Sequence, residues 1–414
     1  MSYLFYKKPT IADKLFPKKV ELLSSVNELF ELELAYLEYN TIAKKDLLQR
    51  TAYIKSVDGK LSNHYLMYSG EGAHLIFNRS SLSKSYFTSG QFSTGYATHG
   101  LFPYRGKFHP QLIKAILNII GVKRGDNVLD PMCGSGTTNI EAALLGINSY
   151  AVDISPFCQF MTKVKYESMS IDTKYFPLLE SKENELFSFY NSNKYAKHIN
   201  SIDTEKQKVY NLALLAFYDA LGYSYRVENS SHQELFKKVL NRYIATIKNF
   251  IPIRQKYIKN LGKLQVLNNS SALSLQIDDN IIDGVITSPP YSFAINYIEN
   301  DTLQLKRLNV NLEELKNKMI GLHGKNKSER LANYFSDMDS TCKEISRVLK
   351  PGKYFVMIIG SNTNQTGGIR LEESIIKSCR KYGLSLVKSV LKPIKGMRNT
   401  MKDEYVLFFR KGDF

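Results

Sequence analysis

The sequence predicts an α/β fold: a twisted, mostly parallel, Rossmann-like sheet with helices on both faces. Three observations predict it. A buried strand at residues 127–130 leads into a glycine turn and then a helix. An apolar strand at residues 283–287 stops at a proline-rich turn, and two β-rich runs, 384–391 and 404–410, form a closing antiparallel pair. A helical insertion and an N-terminal extension complete the predicted architecture.

The first element is the glycine turn, which contains Gly134 and Gly136 and is followed by a second strand ending at Asp153. Glycines let the backbone approach a ligand, and an acid about 20 residues later accepts hydrogen bonds from ribose hydroxyls. No P-loop lysine follows the glycines, and the third glycine of the dinucleotide fingerprint is absent. The pattern therefore favours a ligand with a ribose and an amino-acid tail, which describes S-adenosylmethionine. A tight turn without a ligand is the alternative for this loop alone.

The second element is the turn Ser288-Pro289-Pro290-Tyr291. Two adjacent prolines fix both φ angles and remove two backbone donors, so the carbonyl oxygens are left as acceptors. An aromatic base with an amino group would supply two N–H bonds to Ser288 and Pro289, and Tyr291 offers a flat face for stacking. Taken alone, the turn is also compatible with a proline-rich ligand or an ordinary loop.

The glycine turn, the strand ending at Asp153 and the Ser-Pro-Pro-Tyr turn follow one another along the chain as in amino-group DNA methyltransferases. The chain most closely resembles the cytosine-N4 branch, whose catalytic tetrapeptide usually starts with serine. The resemblance implies a class I S-adenosylmethionine-dependent methyltransferase fold and methylation of an exocyclic amino group. It also implies double-stranded DNA as the substrate. A cognate restriction endonuclease is a further partner that such an enzyme has in a restriction-modification system.

The resemblance also assigns roles to single residues. The implied catalytic residues are Ser288, Pro289, Pro290 and Tyr291. The implied cofactor-binding residues are Phe108, His109, Asp130, Pro131, Cys133, Gly134, Gly136, Thr137, Asp153, Ile154 and Ser271. One position departs from the family pattern, because Ser271 stands near the place where the family usually has an acid that contacts the adenine.

Composition sets bounds on the function. The 414 residues carry a formal net charge of +17, which favours a polyanionic partner, although a Lys- and Asn-rich proteome would give the same excess. No apolar run approaches the ~20 residues of a membrane span, and the N-terminal residues lack a signal-peptide layout, so we expect a cytoplasmic protein. The four cysteines have no metal-site spacing, which argues against a metal. Cys158 lacks the setting of a C5-methylating nucleophile, and we interpret it as structural.

The expected organisation has four parts: an N-terminal extension (1–95), a cofactor-binding part (96–156), a helical insertion (157–262) and a catalytic part (263–414). The insertion is rich in aromatic and basic residues, the combination that nucleic-acid surfaces use. These basic residues include Lys174, Arg226, Lys237, Arg242 and Arg254. Packing of the aromatics into the insertion's own core is the alternative. Target recognition is expected in residues 1–95, 157–262 or 311–330.

Three other functions fit parts of the sequence. Adenine-N6 methylation shares the chemistry and differs in the shape of the base pocket. RNA or a protein glutamine amide is an alternative substrate, because related turns act on both. A nucleic-acid-binding protein on an inactive methyltransferase fold is the non-enzymatic alternative, disfavoured because the residues that the chemistry needs are all present.

Overall fold

The computed structural model describes residues 14–17, 19–68, 96–104, 106–192, 205–224, 230–291, 297–360, 366, 368–394 and 403–413. The chain divides into two compact units. The first comprises residues 1–96 and 111–121, and the second comprises residues 97–110 and 122–414. The N-terminal extension therefore lies only partly within the described residues, and its expected contact with DNA stays a prediction.

The first unit contains a small antiparallel sheet of three strands: β1 (Val20–Leu22), β2 (Ile54–Val57) and β3 (Lys60–Leu61). Strands β2 and β3 are joined by Asp58 and Gly59, which both have positive φ angles, as expected for a two-residue hairpin turn. The helices are α1 (Leu29–Thr41), α2 (Leu47–Arg50), α3 (Asn63–Tyr68) and most of α4 (Pro110–Ile119).

A buried carboxylate connects the elements of the first unit. Glu38 on α1 accepts hydrogen bonds from the Ala52 amide (3.0 Å) and from the Asn118 side chain on α4 (2.6 Å). Complete burial raises the pKa of Glu38 to about 7, and these hydrogen bonds offset only part of that effect. Because it joins two helices and the segment before β2, Glu38 fixes the packing of this unit.

The second unit is built on a seven-stranded sheet with the order β6-β5-β4-β7-β8-β10-β9. Its strands are β4 (Asn127–Asp130), β5 (Asn148–Ala151), β6 (Leu264–Val266), β7 (Ile282–Thr287), β8 (Leu349–Gly360), β9 (Leu384–Pro393) and β10 (Asp403–Lys411). The pairs from β6 to β8 are parallel, whereas β10 runs antiparallel to both β8 and β9. This arrangement confirms the predicted Rossmann-like methyltransferase sheet with an antiparallel C-terminal strand.

Helices follow the strands as the local signals predict. Helix α5 (Thr137–Leu144) begins after Gly136, and Gly146, with φ +74°, lies just beyond its end. Helix α6 (Pro156–Glu167) begins at a proline, and the Ser155 hydroxyl accepts a hydrogen bond from the Cys158 amide at its N-terminus. Further along the chain come α11 (Tyr297–Arg307), α12 (Leu312–Lys318), α13 (Lys327–Val348) and α14 (Leu371–Lys381).

The insertion between β5 and β6 is helical. After α6 it contains a 3₁₀ turn (Thr173–Tyr175), α7 (Phe176–Ser181), α8 (Glu183–Asn191), α9 (Glu205–Ser224) and α10 (His232–Tyr257). Its largest aromatic side chains form one buried core. They are Phe176, Tyr190, Phe217, Tyr218, Phe236 and Tyr243. For these residues the packing interpretation is correct, because a helical module needs an apolar interior of its own.

Several basic side chains of the insertion form ion pairs with acidic residues of the same insertion. Lys174 pairs with Asp172, Lys237 with Glu183, and Arg242 with Asp219. Arg226 lies outside the described residues. DNA contact by this insertion therefore stays a prediction. Among the residues that the structure describes, we find no helix both long enough and apolar enough to cross a bilayer.

Candidate active site at the carboxyl edge of the sheet

Four neighbouring strands of the second unit bring the predicted site together. Parallel strands have their carboxyl ends at one edge of the sheet, and the loops after β6, β5, β4 and β7 follow one another along that edge. These loops carry Ser271, Asp153, Gly134 and Ser288, in that spatial order. A cavity at this edge encloses about 980 Å³ of space, a volume that includes its open mouth.

Most of the predicted site residues line this cavity. They are Phe108, Pro131, Cys133, Gly134, Thr137, Asp153, Ile154, Ser271, Ser288 and Pro290. The predicted residues outside the lining are His109, Asp130, Gly136, Pro289 and Tyr291. Lining a cavity does not establish a role, so the catalytic and cofactor-binding assignments stay predictions.

The glycine loop is held in shape by Asp153. Its carboxylate accepts hydrogen bonds from the Gly134 amide and the Ser155 amide, both at 2.9 Å. Burial raises the pKa of Asp153, and the backbone hydrogen bonds offset only part of that increase. The carboxylate is thus fixed at the cavity wall, next to the loop whose backbone a ligand would approach.

Gly136 has no room for a side chain. Its φ is +77°, and a Cβ atom there would lie 2.7 Å from both Oγ1 and Cγ2 of Thr162 on α6. We expect Gly136→Ala to displace the loop, lowering the free energy of unfolding by roughly 1–3 kcal/mol and the affinity for the cofactor at least fivefold. Urea denaturation and isothermal titration calorimetry measure these effects.

Gly125→Ala is the matched control, because Gly125 also has a positive φ (+85°) but no atom within 4 Å of the added Cβ. It should show only the backbone strain of about 1–2 kcal/mol and leave cofactor affinity unchanged. Equal effects of the two substitutions on cofactor affinity would contradict the steric explanation.

A buried hydrogen bond joins the strand end before the glycine loop to the strand end before the proline turn. The hydroxyl of Thr287, the last residue of β7, donates to Oδ1 of Asp130, the last residue of β4, at 2.9 Å. The Met132 amide donates to the same oxygen at 3.2 Å. Asp130 is fully buried, so it positions the two loops from beneath and does not face the cavity.

Burial raises the pKa of Asp130 to about 7, despite the hydrogen bonds that favour its charged form. The folded protein therefore holds this proton more tightly than the unfolded chain between about pH 4 and pH 7. The free energy of unfolding should fall as pH rises through that window, by up to about 4 kcal/mol from this group. Asp130→Asn keeps an acceptor oxygen and removes the titration, so the variant should lose this part of the pH dependence. Urea denaturation at pH 5 and pH 8 measures it, and equal pH dependence in both proteins would contradict the assignment.

The proline turn is closed by side-chain hydrogen bonds. Ser288 Oγ lies 3.1 Å from Tyr291 Oη, which lies 3.0 Å from Oε1 of Glu404 on β10. Lys392 on β9 contacts the other carboxylate oxygen of Glu404. Tyr291 is partly buried and packs against the core of the sheet. Its expected role in stacking on a base stays a prediction.

The two cysteines near the cavity are free thiols. Cys133 Sγ lies 3.6 Å from the Thr162 hydroxyl, and Cys158 Sγ lies 3.4 Å from the Tyr104 hydroxyl. Burial raises the pKa of both thiols well above the usual range, which disfavours the nucleophilic thiolate. The environment of Cys158 agrees with the structural role expected from the sequence, and the cofactor-binding role of Cys133 stays a prediction.

Several lining residues were not anticipated from the sequence. Tyr297, Asp301 and Leu305 lie on α11 at i, i+4 and i+8, a helical spacing that could have indicated a shared face. Tyr104 stacks on Tyr297 with ring centroids 6.5 Å apart. Asp301 is 6% exposed, and burial together with the charge of Asp153 raises its pKa to about 7. This helix forms part of the cavity wall.

Two family models match overlapping parts of the chain. A DNA methylase model of the N6/N4 type matches residues 33–163, and a model described as RMKL-like methyltransferase domain matches residues 101–231. Both ranges include the glycine loop and Asp153. Neither range reaches residues 288–291.

Curated relatives agree with the first match. The type II methyltransferase M.BsoBI of Geobacillus stearothermophilus is 25% identical over 328 residues, which cover 63% of this chain and 63% of the relative. The type II methyltransferase M.MjaII of Methanocaldococcus jannaschii is 30% identical over 168 residues, covering 39% and 29%. The chain resembles the N6/N4 DNA methylases. It spans less than two thirds of the length of either of these relatives.

A shorter match connects the chain to an RNA methyltransferase. The tRNA (guanine(10)-N2)-dimethyltransferase of Methanothermobacter thermautotrophicus is 45% identical over 53 residues, which cover 13% of this chain and 16% of the relative. That enzyme is also named for a methylated exocyclic nitrogen.

The two matching methyltransferase models support S-adenosylmethionine as the cofactor. When bound, it supplies an electrophilic methyl group on a positively charged sulfur. The lining is compatible with this molecule, because the carboxyl groups of Asp153 and Asp301 in the cavity wall favour a cationic ligand over a phosphate when they are ionised. In the predicted assignment, Asp153 would accept from ribose hydroxyls, Ile154 would contact the adenine, and Phe108 would lie at the methionine end; all three line the cavity.

Proposed function

We propose that this protein is a site-specific DNA methyltransferase that transfers a methyl group from S-adenosylmethionine to the exocyclic N4 amino group of cytosine. The observation that carries this proposal is the shared cavity, in which Ser288 and Pro290 lie with Gly134 and Asp153. A base held by the proline turn would therefore lie next to a cofactor held by the glycine loop. The match of residues 33–163 to a DNA methylase model supports DNA as the substrate, and we propose that the DNA is double-stranded.

The proposed reaction needs the base outside the duplex, because the amino group cannot reach the cavity while it is paired. Ser288 Oγ and the Pro289 carbonyl accept hydrogen bonds from the two amino hydrogens. These contacts turn the nitrogen lone pair away from the ring and aim it at the methyl carbon. The new N–C bond forms as the S–C bond breaks, its electron pair stays on sulfur, and the extra amino proton is released. Alignment and stabilisation of the positive charge on nitrogen lower the barrier.

Cytosine is proposed over adenine because the turn begins with Ser288, the residue that marks the cytosine-N4 branch of the family it resembles. A cognate restriction endonuclease is the partner that a modification enzyme of this kind has. The short similarity to a tRNA guanine-N2 methyltransferase favours RNA as the second candidate substrate. Adenine-N6 methylation of DNA remains the other alternative.

Mass analysis of nucleosides tests these alternatives in one experiment. Purified protein and S-adenosylmethionine are incubated separately with double-stranded DNA and with tRNA, and each product is digested to nucleosides. N4-methylcytosine from DNA is expected. N6-methyladenine would overturn the choice of cytosine, methylated guanosine from tRNA alone would overturn DNA as substrate, and 5-methylcytosine would overturn the amino-group mechanism.

A further inference from the structure

The proline turn is connected to the antiparallel strands β10 and β9 by a chain of hydrogen bonds. It runs from Ser288 Oγ to Tyr291 Oη at 3.1 Å, and from Tyr291 Oη to Glu404 Oε1 at 3.0 Å. The ammonium of Lys392 binds the other oxygen of Glu404. We call these four side chains the Ser288–Glu404 chain.

The donors and acceptors of this chain have a single consistent arrangement. A carboxylate paired with an ammonium has only acceptor sites, so Tyr291 must donate its one proton to Glu404. The phenol oxygen can then only accept, and Ser288 must donate its own proton to it. The Ser288 oxygen can therefore only accept hydrogen bonds from a ligand in the cavity.

The charge environment agrees with this direction. Burial and the negative charge of Glu404 raise the pKa of Tyr291 well above its usual range, so the phenol keeps its proton at neutral pH. Glu404 is opposite Lys392 across the β9–β10 pair and opposite Gly360 at the end of β8. The antiparallel strand β10 thus holds a carboxylate next to the turn that follows β7.

We propose that Glu404, through Tyr291, is a positioning residue that makes Ser288 an obligate hydrogen-bond acceptor and so selects amino groups as the methylated group. The inference rests on the proposed function and extends it. A serine hydroxyl that could rotate would accept from an amino group or donate to a keto oxygen or ring nitrogen with equal ease. A serine whose proton is held by Tyr291 favours only donors, and an exocyclic amino group is the donor that a base presents.

A double-mutant cycle tests this coupling. Glu404→Gln replaces the acceptor-only carboxylate with an amide that can donate, and Tyr291→Phe removes the phenol while keeping the ring. Each single variant should lower kcat for methyl transfer to DNA about tenfold, with the KM for DNA and the Kd for S-adenosylmethionine within twofold of the wild-type values. The double variant should be no slower than the slower single variant, because both changes release the same Ser288 proton.

Asp403→Asn is the matched control, since Asp403 is the adjacent carboxylate on β10 and is not part of the Ser288–Glu404 chain. Its kcat should equal that of the wild type. A kcat about a hundredfold lower in the double variant, the product of two independent tenfold losses, would overturn the inference. An unchanged kcat for Glu404→Gln would also overturn it. So would a loss explained by weaker cofactor binding or a lower thermal midpoint in Glu404→Gln, because that outcome indicates a structural role.

Assays of the wild-type protein distinguish failure of the proposed function from failure of the proposed role of Glu404. If it makes no methylated amino nucleoside from DNA, the proposed function fails. If it does and the cycle is additive, only the role of Glu404 fails.

Discussion

Ser288→Ala is expected to reduce methyl transfer to DNA by about 10²–10³-fold. The substitution removes an acceptor aimed at the reacting amino group, and loss of one such preorganised polar group typically costs this much in rate. Ser288 is partly exposed to the cavity and follows β7 directly, so the alanine fits without disturbing the strand. The affinity for S-adenosylmethionine should stay within twofold of the wild-type value, because the Gly134–Asp153 contact is untouched.

Single-turnover methyl incorporation and calorimetric cofactor titration give the two readouts. Ser274→Ala is a control, since Ser274 lies in the loop after β6 and outside the cavity lining. Full activity of Ser288→Ala would remove Ser288 from the proposed mechanism. A parallel loss of cofactor affinity would instead mean that the turn supports the glycine loop.

Asp153→Asn is expected to weaken binding of S-adenosylmethionine by about 10–100-fold. The carboxylate can accept from ribose hydroxyls while it also accepts from the Gly134 and Ser155 amides, and charge-assisted hydrogen bonds of this kind contribute about 1.5–3 kcal/mol each. Asparagine keeps one acceptor and turns the other into a donor that faces an N–H group. Rates measured at saturating cofactor should recover most of the wild-type value.

Isothermal titration calorimetry with S-adenosylmethionine and with S-adenosylhomocysteine measures the loss, which should be similar for both because they share the ribose. Asp278→Asn is a control, because Asp278 is outside the cavity lining. Unchanged affinity in Asp153→Asn would remove the ribose assignment.

Much of the sheet could be predicted because its signals are local. The glycine turn after β4, the prolines after β7 and the β-rich C-terminal runs each mark an element within a few residues. The rule that parallel strands end at one edge then predicts that Asp153 and Ser288 come close, although 135 positions separate them. That prediction is confirmed, since both line one cavity.

Contacts that depend on strand register could not be predicted. Glu404 reaches Tyr291 because β10 pairs with β8 in one particular register, and no local pattern in the sequence specifies that alignment. The wall formed by Tyr297 and Asp301 has a visible helical spacing, but the face that α11 turns toward the cavity depends on packing. The burial of the aromatic side chains in the insertion could not be predicted either, because composition does not distinguish a buried ring from an exposed one.

The helical insertion between β5 and β6 has a consequence for how the chain folds. It places β7 more than 150 residues after β4, its parallel neighbour in the sheet. The glycine loop after β4 and the proline turn after β7 therefore come together only when these two strands pair. Pairing strands so far apart in sequence has an entropic cost, and proteins dominated by such contacts fold more slowly than proteins dominated by local contacts. During synthesis the glycine loop leaves the ribosome well before the strand that completes its site, and the compact helical module emerges in between. The cavity at the sheet edge can therefore be completed only after β7 and the residues up to Ile320 have been synthesised.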